Sequence, residues 1–267
     1  MNDYTSTSDP SVINKLADEL NAGPKVEIQT VAPSNSDVTL PGGFISGDGS
    51  LIKYAEVREL NGLDEELVSR SGSTGKALLT MLQRGLVSIG TEKPTKEDLD
   101  RLLSGDRDAI LIGIRRVTFG DDINYKFKCP SCEEPLDVTI DLAENVPVVA
   151  LDDPFEGRKF SYQSAKYGEI VVSLPTGHTQ KKLLENLDKT KAEINTIILA
   201  SCVDSIGGKP SMGASSVQQL GMLDRDNILS EIVSRNPGPR LSEVKTTCEA
   251  CGVEIPIPLS LAELFRL

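Results

Sequence analysis

Two short cysteine steps constrain this chain more than any other feature. They are Cys129-Pro130-Ser131-Cys132 and Cys248-Glu249-Ala250-Cys251, and together they hold four of the five cysteines. Two residues between cysteines let both thiolates of a step face one point. Two such knuckles complete a tetrahedral four-cysteine site of the kind that binds structural zinc. The two steps lie far apart in the chain, so a shared ion would clip distant segments together. The spacing predicts Zn2+ held by Cys129, Cys132, Cys248 and Cys251. Iron on the same four thiolates, and two unrelated reduced pairs, are also compatible with the spacing. A redox dithiol fits less well, because neither pair opens a helix after a strand. With all four positions filled by protein there is no open site for water, so the predicted role is structural and not catalytic.

The compartment bears on that reading. The first residues, Met1-Asn2-Asp3-Tyr4-Thr5, have neither the basic nor the apolar region of a signal peptide. This points to the cytoplasm, where thiols stay reduced and bind metals. No apolar run approaches the length of a membrane span. The net charge of −12 argues against nucleic acid as the main partner, since phosphate binding needs clustered Lys and Arg. Trp is absent and only 4% of residues are aromatic, so stacking platforms for single strands are scarce as well.

Along the chain, residues 1–37 read as an arm. Asp9 and Pro10 start a short helix whose Val12, Ile13, Leu16 and Leu20 share one face. Val26 to Thr30 alternates like a strand, suited to joining a neighbour's sheet edge. From Val38 the pattern tightens. Leu40-Pro41-Gly42-Gly43-Phe44 reads as a turn, and Ile52 to Leu60 as a strand ending at Asn61-Gly62. Helices follow at Asp64, over Leu78 to Leu86, over Pro94 to Leu103, and after Asp106. Strands then enter and leave the first knuckle through Tyr125–Lys128 and through Val138, Ile140 and Leu142.

The second half repeats this plan. Asp106-Arg107-Asp108-Ala109-Ile110-Leu111 returns as Asp224-Arg225-Asp226-Asn227-Ile228-Leu229, 118 residues later. Ser88-Ile89-Gly90 returns as Ser205-Ile206-Gly207, and the knuckles and the strand after them recur at nearly the same interval. Matches in one order at one period indicate an internal duplication. The expected fold is therefore α+β, with an arm (1–37), a first repeat (38–150) and a second repeat (151–267). A pseudo-twofold would relate the repeats, and a strand–Cys-x-x-Cys–strand knuckle from each would meet at the metal.

Other candidate sites carry less chemistry. Gly72-Ser73-Thr74-Gly75-Lys76 looks like a phosphate loop, but Arg70 replaces the first Gly and Ala77 the metal-binding hydroxyl. His178, the sole histidine, has no Cys or Ser beside it in sequence and reads as an exposed residue at a helix start. Cys202 reads as a buried core thiol. The two Asp-Arg-Asp steps read as helix caps with local ion pairs. No residue is expected to be catalytic.

One stretch, Val38 to Leu142, resembles a known pattern. Its pieces are Leu40-Pro41-Gly42-Gly43-Phe44, Val57 to Glu66, Gly105-Asp106-Arg107, Arg116-Val117-Thr118-Phe119-Gly120, Tyr125 and the first knuckle. In this order they resemble the baseplate hub protein family of T-even-type and other tailed bacteriophages. The resemblance implies a structural or assembly role in the tail baseplate, neighbouring tail proteins as partners, residence in the virion after assembly in the host cytoplasm, and no enzymatic activity. It leaves open an assembly chaperone absent from the virion. A zinc-ribbon regulator that binds nucleic acid is the reading from another class, and the acidic balance speaks against it.

Overall fold

Strand β1 (Asp37–Ile45) opens the computed structural model, which describes residues 36–265 apart from residue 187. The expected arm helix and the strand at Val26–Thr30 lie outside the described residues. The Pro41-Gly42-Gly43 segment is not a turn but the centre of β1. The pairing of β1 with β2 (Leu51–Val57) shifts register between Thr39 and Phe44, and Gly43 takes φ +68° there. Such a bulge needs glycine and bends the strand toward its neighbours.

Helix α1 (Gly62–Ser69) starts at Asn61, whose side chain and that of Asp64 form a reciprocal capping box. Helix α2 (Thr74–Gly85) runs straight into β3 (Leu86–Ile89), which pairs antiparallel with β2 to complete a three-stranded sheet. Short α3 (Lys96–Arg101) and long α4 (Ser104–Phe119) follow. Then comes the hairpin of β4 (Asp122–Lys128) and β5 (Pro135–Asp141) that carries the first knuckle. The helix predicted to follow a capping Asp106 in fact begins three residues earlier, capped at Leu103, with Asp106 inside its first turn.

Strand β6 (Val148–Val149) follows the hairpin. Strands β7 (Lys159–Ser164) and β8 (Gly168–Ser173) pair, and helices α5 (Gly177–Leu184) and α6 (Lys191–Cys202) come next. Then β9 (Val203–Ile206) pairs with β8, and β10 (Lys209–Pro210) extends this sheet to the order β10-β9-β8-β7. Helices α7 (Ala214–Val217) and α8 (Met222–Arg235) precede β11 (Gly238–Pro239), which pairs with β6. The second knuckle sits between β12 (Lys245–Thr247) and β13 (Glu254–Pro256), and α9 (Leu261–Leu264) closes the described chain. The two larger sheets share a feature of register. Ala55, Glu56 and Val57 oppose Ile89, Ser88 and Leu86 with a shift before Val57; Ile170, Val171 and Val172 oppose Ile206, Ser205 and Val203 with a shift at the matching place.

Two large apolar cores result among the described residues, beside a small cluster around the knuckles. The second is built from Ile170, Val172, Leu199, Val217, Ile228 and Ile232. The first contains Val57, Leu82, Ile110 and Ile114, and also Val244, Ile257, Leu259 and Leu264 from the end of the chain. The segment around the second knuckle therefore returns to pack on the first core, and the Arg115 guanidinium donates to the Leu264 carbonyl at 2.8 Å. At the junction, the α4 start meets the β8–α5 turn. Ser104 N–H donates to Pro175 O and Gly177 N–H to Leu102 O, each at 2.9 Å. Gly105 lies against Pro237, so closely that a Cβ there would come within 1.4 Å of the Pro237 oxygen.

Candidate metal centre

The alternation of β4 and β5 lets this hairpin reach the site. Phe127 and Leu136, directly opposed in the ladder, half-bury themselves beside the first knuckle. The chain then reverses in a tight loop: Cys129 N–H donates to Glu134 O, and Glu133 N–H donates back to Cys129 O, both at 2.9 Å. The second knuckle closes in the same way, with Cys248 N–H to Val253 O at 3.0 Å and Gly252 N–H to Cys248 O at 2.8 Å. In each, the residue four after the first cysteine turns left-handed. In the second knuckle it is Gly252, with φ +72°. In the first it is Glu133, with φ +60°, the sole non-glycine of positive φ among the described residues. Sequence reasoning missed this demand, although Gly252 signals it.

The four sulfurs converge. All lie within 4.8 Å of one another, and the cross-knuckle contacts Cys129–Cys251 and Cys132–Cys248 are both 3.7 Å. That is far longer than a disulfide, about 2.05 Å. It matches the edge of a tetrahedron with metal–sulfur bonds of about 2.3 Å, roughly 3.8 Å. The first cysteine of each knuckle, Cys129 and Cys248, is buried, while the second, Cys132 and Cys251, is exposed. Ile255, Phe127 and Leu136 cover the buried side.

Electrostatics favours thiolate in part of the cluster. The N–H of Cys132 directed at the Cys129 sulfur, helped by that of Ser131, draws Cys129 down to about 7. The Glu134 N–H favours thiolate at Cys132 too, but the water its sulfur loses to the cluster and the three neighbouring thiols push it up to about 12. Four thiols facing one point cannot all ionise without a cation, so the arrangement suits a metal ion. Four cysteines together can hold one and leave it no vacant position.

The remaining candidates separate clearly. Cys202 is buried in the second core, and burial pushes its thiol up to about 12. His178 is exposed at the start of α5. Ser73 caps α2 by accepting from Lys76 N–H, and Gly75 packs on Leu184, so the glycine-rich stretch is a helix start. The Asp-Arg-Asp steps are not local caps. Asp106 accepts from Gly42 N–H at 2.7 Å across 64 positions, and its other oxygen has no hydrogen-bond partner. Burial is the main cause that raises its carboxyl to about 7, against the pull of Gly42 N–H and Arg158. Asp224 instead accepts from the hydroxyls of Tyr162 (3.0 Å) and Ser164 (2.9 Å). Arg107 and Arg225 each donate to a carbonyl eight residues back, Leu99 and Val217. The aspartates tie these helices to distant strands, and the arginines tie them to the short helix before.

A second buried acid escaped the sequence. Asp64, besides capping α1, receives Arg58 at 2.7 Å and Arg84 at 2.6 Å. Burial works against its charge, but these donors and the Asn61 N–H prevail and hold its carboxyl below the usual range.

Among the described residues no helix is long and apolar enough to cross a membrane. The family model described as T4 bacteriophage base plate protein matches residues 67–210. No curated protein and no solved structure matches the chain.

Proposed function

Because the chain belongs to the T4 bacteriophage base plate protein family, we propose that it is a structural component of the hub region of a phage tail baseplate. It works by presenting fixed surfaces to neighbouring tail proteins, with residues 1–37 as a clasp. It has no catalytic residue of its own, enters the virion, and is assembled in the host cytoplasm. The family match, which spans more than half of the chain, is the observation that carries this reading.

The four cysteines, in this proposal, bind one structural Zn2+ through Cys129, Cys132, Cys248 and Cys251. The 3.7 Å sulfur spacing and the N–H groups aimed at the sulfurs support it. The chain is a duplicated pair, 38–150 and 151–267, in which a pseudo-twofold relates the two knuckles across the metal, while the α4 start and the β8–α5 turn join the halves head to tail. The matching element order, the matching β2–β3 and β8–β9 registers and the paired buried and exposed cysteines support that. The ion locks the two knuckles in one orientation, and the surfaces and the arm do the binding.

Mass spectrometry of purified virions tests the functional reading. The chain should be present at fixed stoichiometry. Its absence from virions, with abundance in infected cells, would convert the reading into that of an assembly chaperone. Metal analysis of protein purified without chelator should find about one zinc per chain, and a content near zero would refute the site.

A further inference from the structure

The junction between the halves is built from two complementary surfaces, and the molecule holds a second, unpaired set of the same two. One surface is the start of α4, where Leu103, Ser104 and Gly105 are buried. The other is the β8–α5 turn and the following face of α5. There Gln180 hydrogen-bonds Asp108, and Leu183 and Leu184 close over α2 and α4, leaving a cavity of only about 180 Å³.

At corresponding positions in the second half, the start of α8 carries Gly221, Met222 and Leu223, and no described residue covers it. Met222 is 87% and Leu223 74% exposed. At corresponding positions in the first half, the β2–α1 turn carries Leu60, Asn61 and Gly62, followed by Glu65 and Val68. This face is open too. Together with Phe119, which is 61% exposed and occupies the place of Pro237, it lines a largely apolar hollow of about 670 Å³. One face of each kind is thus used inside the chain, and one of each kind is left free at opposite ends of the same plan.

We propose that these two free faces bind each other between copies of this chain. The Met222–Leu223 end of one copy seats in the Gly62–Phe119 hollow of the next, repeating the internal junction head to tail. Such a contact is heterologous: it leaves the same two faces free at the ends of every assembly, so it closes into a ring or continues as a filament. Leu223 and Phe119 stand where Gly105 and Pro237 touch backbone to backbone, so the copies sit further apart than the halves do. The size of the hollow accommodates that. One polar pair is mismatched. Where Gln180 meets Asp108 inside the chain, Glu65 would meet Asp226, two carboxylates that hold the affinity down. The inference rests on the duplicated reading of the two halves, and not on the metal or on virion location.

Sedimentation velocity on the full-length protein over a concentration series tests it. Dimers and larger species should appear with increasing concentration. Leu223→Glu and Phe119→Glu, both at exposed positions, should each yield monomers, and mixing them should restore dimers but nothing larger, because each variant keeps one good face. Glu65→Gln, by offering Asp226 the amide that Asp108 receives internally, should tighten association about tenfold. A chain that stays monomeric at every concentration overturns the inference, even where another tail protein binds the same face. So do oligomers that survive Leu223→Glu, or a variant mixture that stays monomeric. In each of those cases one zinc per chain and detection in virions would still stand.

Discussion

The two long helices α4 and α8 begin with the same Asp-Arg-Asp step and end in different surroundings. In both, the arginine reaches back eight residues to a carbonyl, and the isoleucines that follow (Ile110 and Ile114, Ile228 and Ile232) enter a core. Around α4, however, the start is sealed: Gly105 lies on Pro237, and Asp106 is buried with one oxygen unpartnered. Around α8 the start is open: Leu223 faces solvent, and Asp224 takes two hydroxyl donors from β7. Equal local sequence thus produces equal helices, and what is laid against each helix decides whether its first turn is core or surface.

The knuckles are where the comparison should break least. Cys132→Ser and Cys251→Ser should act alike, each removing the metal and several kcal/mol of stability, because structural zinc contributes on the order of 10 kcal/mol to folding of small metal domains. Metal analysis and thermal melts check this; a variant that keeps both metal and melting temperature would show that the halves do not share one ion.

The helix starts should differ sharply. Gly105→Ala should cost at least about 4 kcal/mol, because the added methyl collides with the backbone of Pro237. Leu223→Ala should leave chemical-denaturation stability within about 0.5 kcal/mol, since the side chain is exposed.

Asp106 sharpens the same contrast through pH. Its folded carboxyl, raised to about 7, binds its proton more tightly than in the unfolded chain, where it titrates near 3.8. The folded state therefore loses stability as pH rises from about 4 to about 7, and the loss is complete above that. Asp106→Asn should reduce this slope, leaving the part due to Asp108, whose carboxyl burial raises to about 6, and should stabilise the protein at pH 8 by about 2–4 kcal/mol, as urea midpoints at pH 4 and pH 8 would reveal.

A smaller effect separates the knuckles from each other. Glu133→Gly should add about 1 kcal/mol, because it relieves a left-handed residue that the second knuckle already assigns to glycine, whereas Gly252→Ala should cost about as much. Melting temperatures in the presence of zinc would resolve both.

Much of this was legible along the chain. The cysteine spacing announced a converging four-sulfur cluster, and the baseplate resemblance agrees with the family match. The mixed α+β class and most helices and strands followed from periodicity, because 3.6-residue and 2-residue patterns are local properties. Errors gathered where local chemistry met a distant partner. Leu40 to Phe44 has turn composition, yet its glycines serve a bulge that lets Gly42 N–H reach Asp106. Asp64 reads as one more acid at a helix start, and nothing nearby says that Arg84, twenty residues on, will share its carboxylate.

The sequence by itself determined which groups can bind metal, which faces are apolar and that these segments are helical, because thiol spacing and hydrophobic period act within a few residues. Only the tertiary structure decided that the end of the chain, Val244 to Phe265, would complete the first core. It alone decided that Gly105 would be sealed while its counterpart Leu223 is exposed, and which of two Asp-Arg-Asp carboxylates would be starved of partners. Those outcomes depend on which surfaces meet across a hundred residues or more, and burial exists only once they have met.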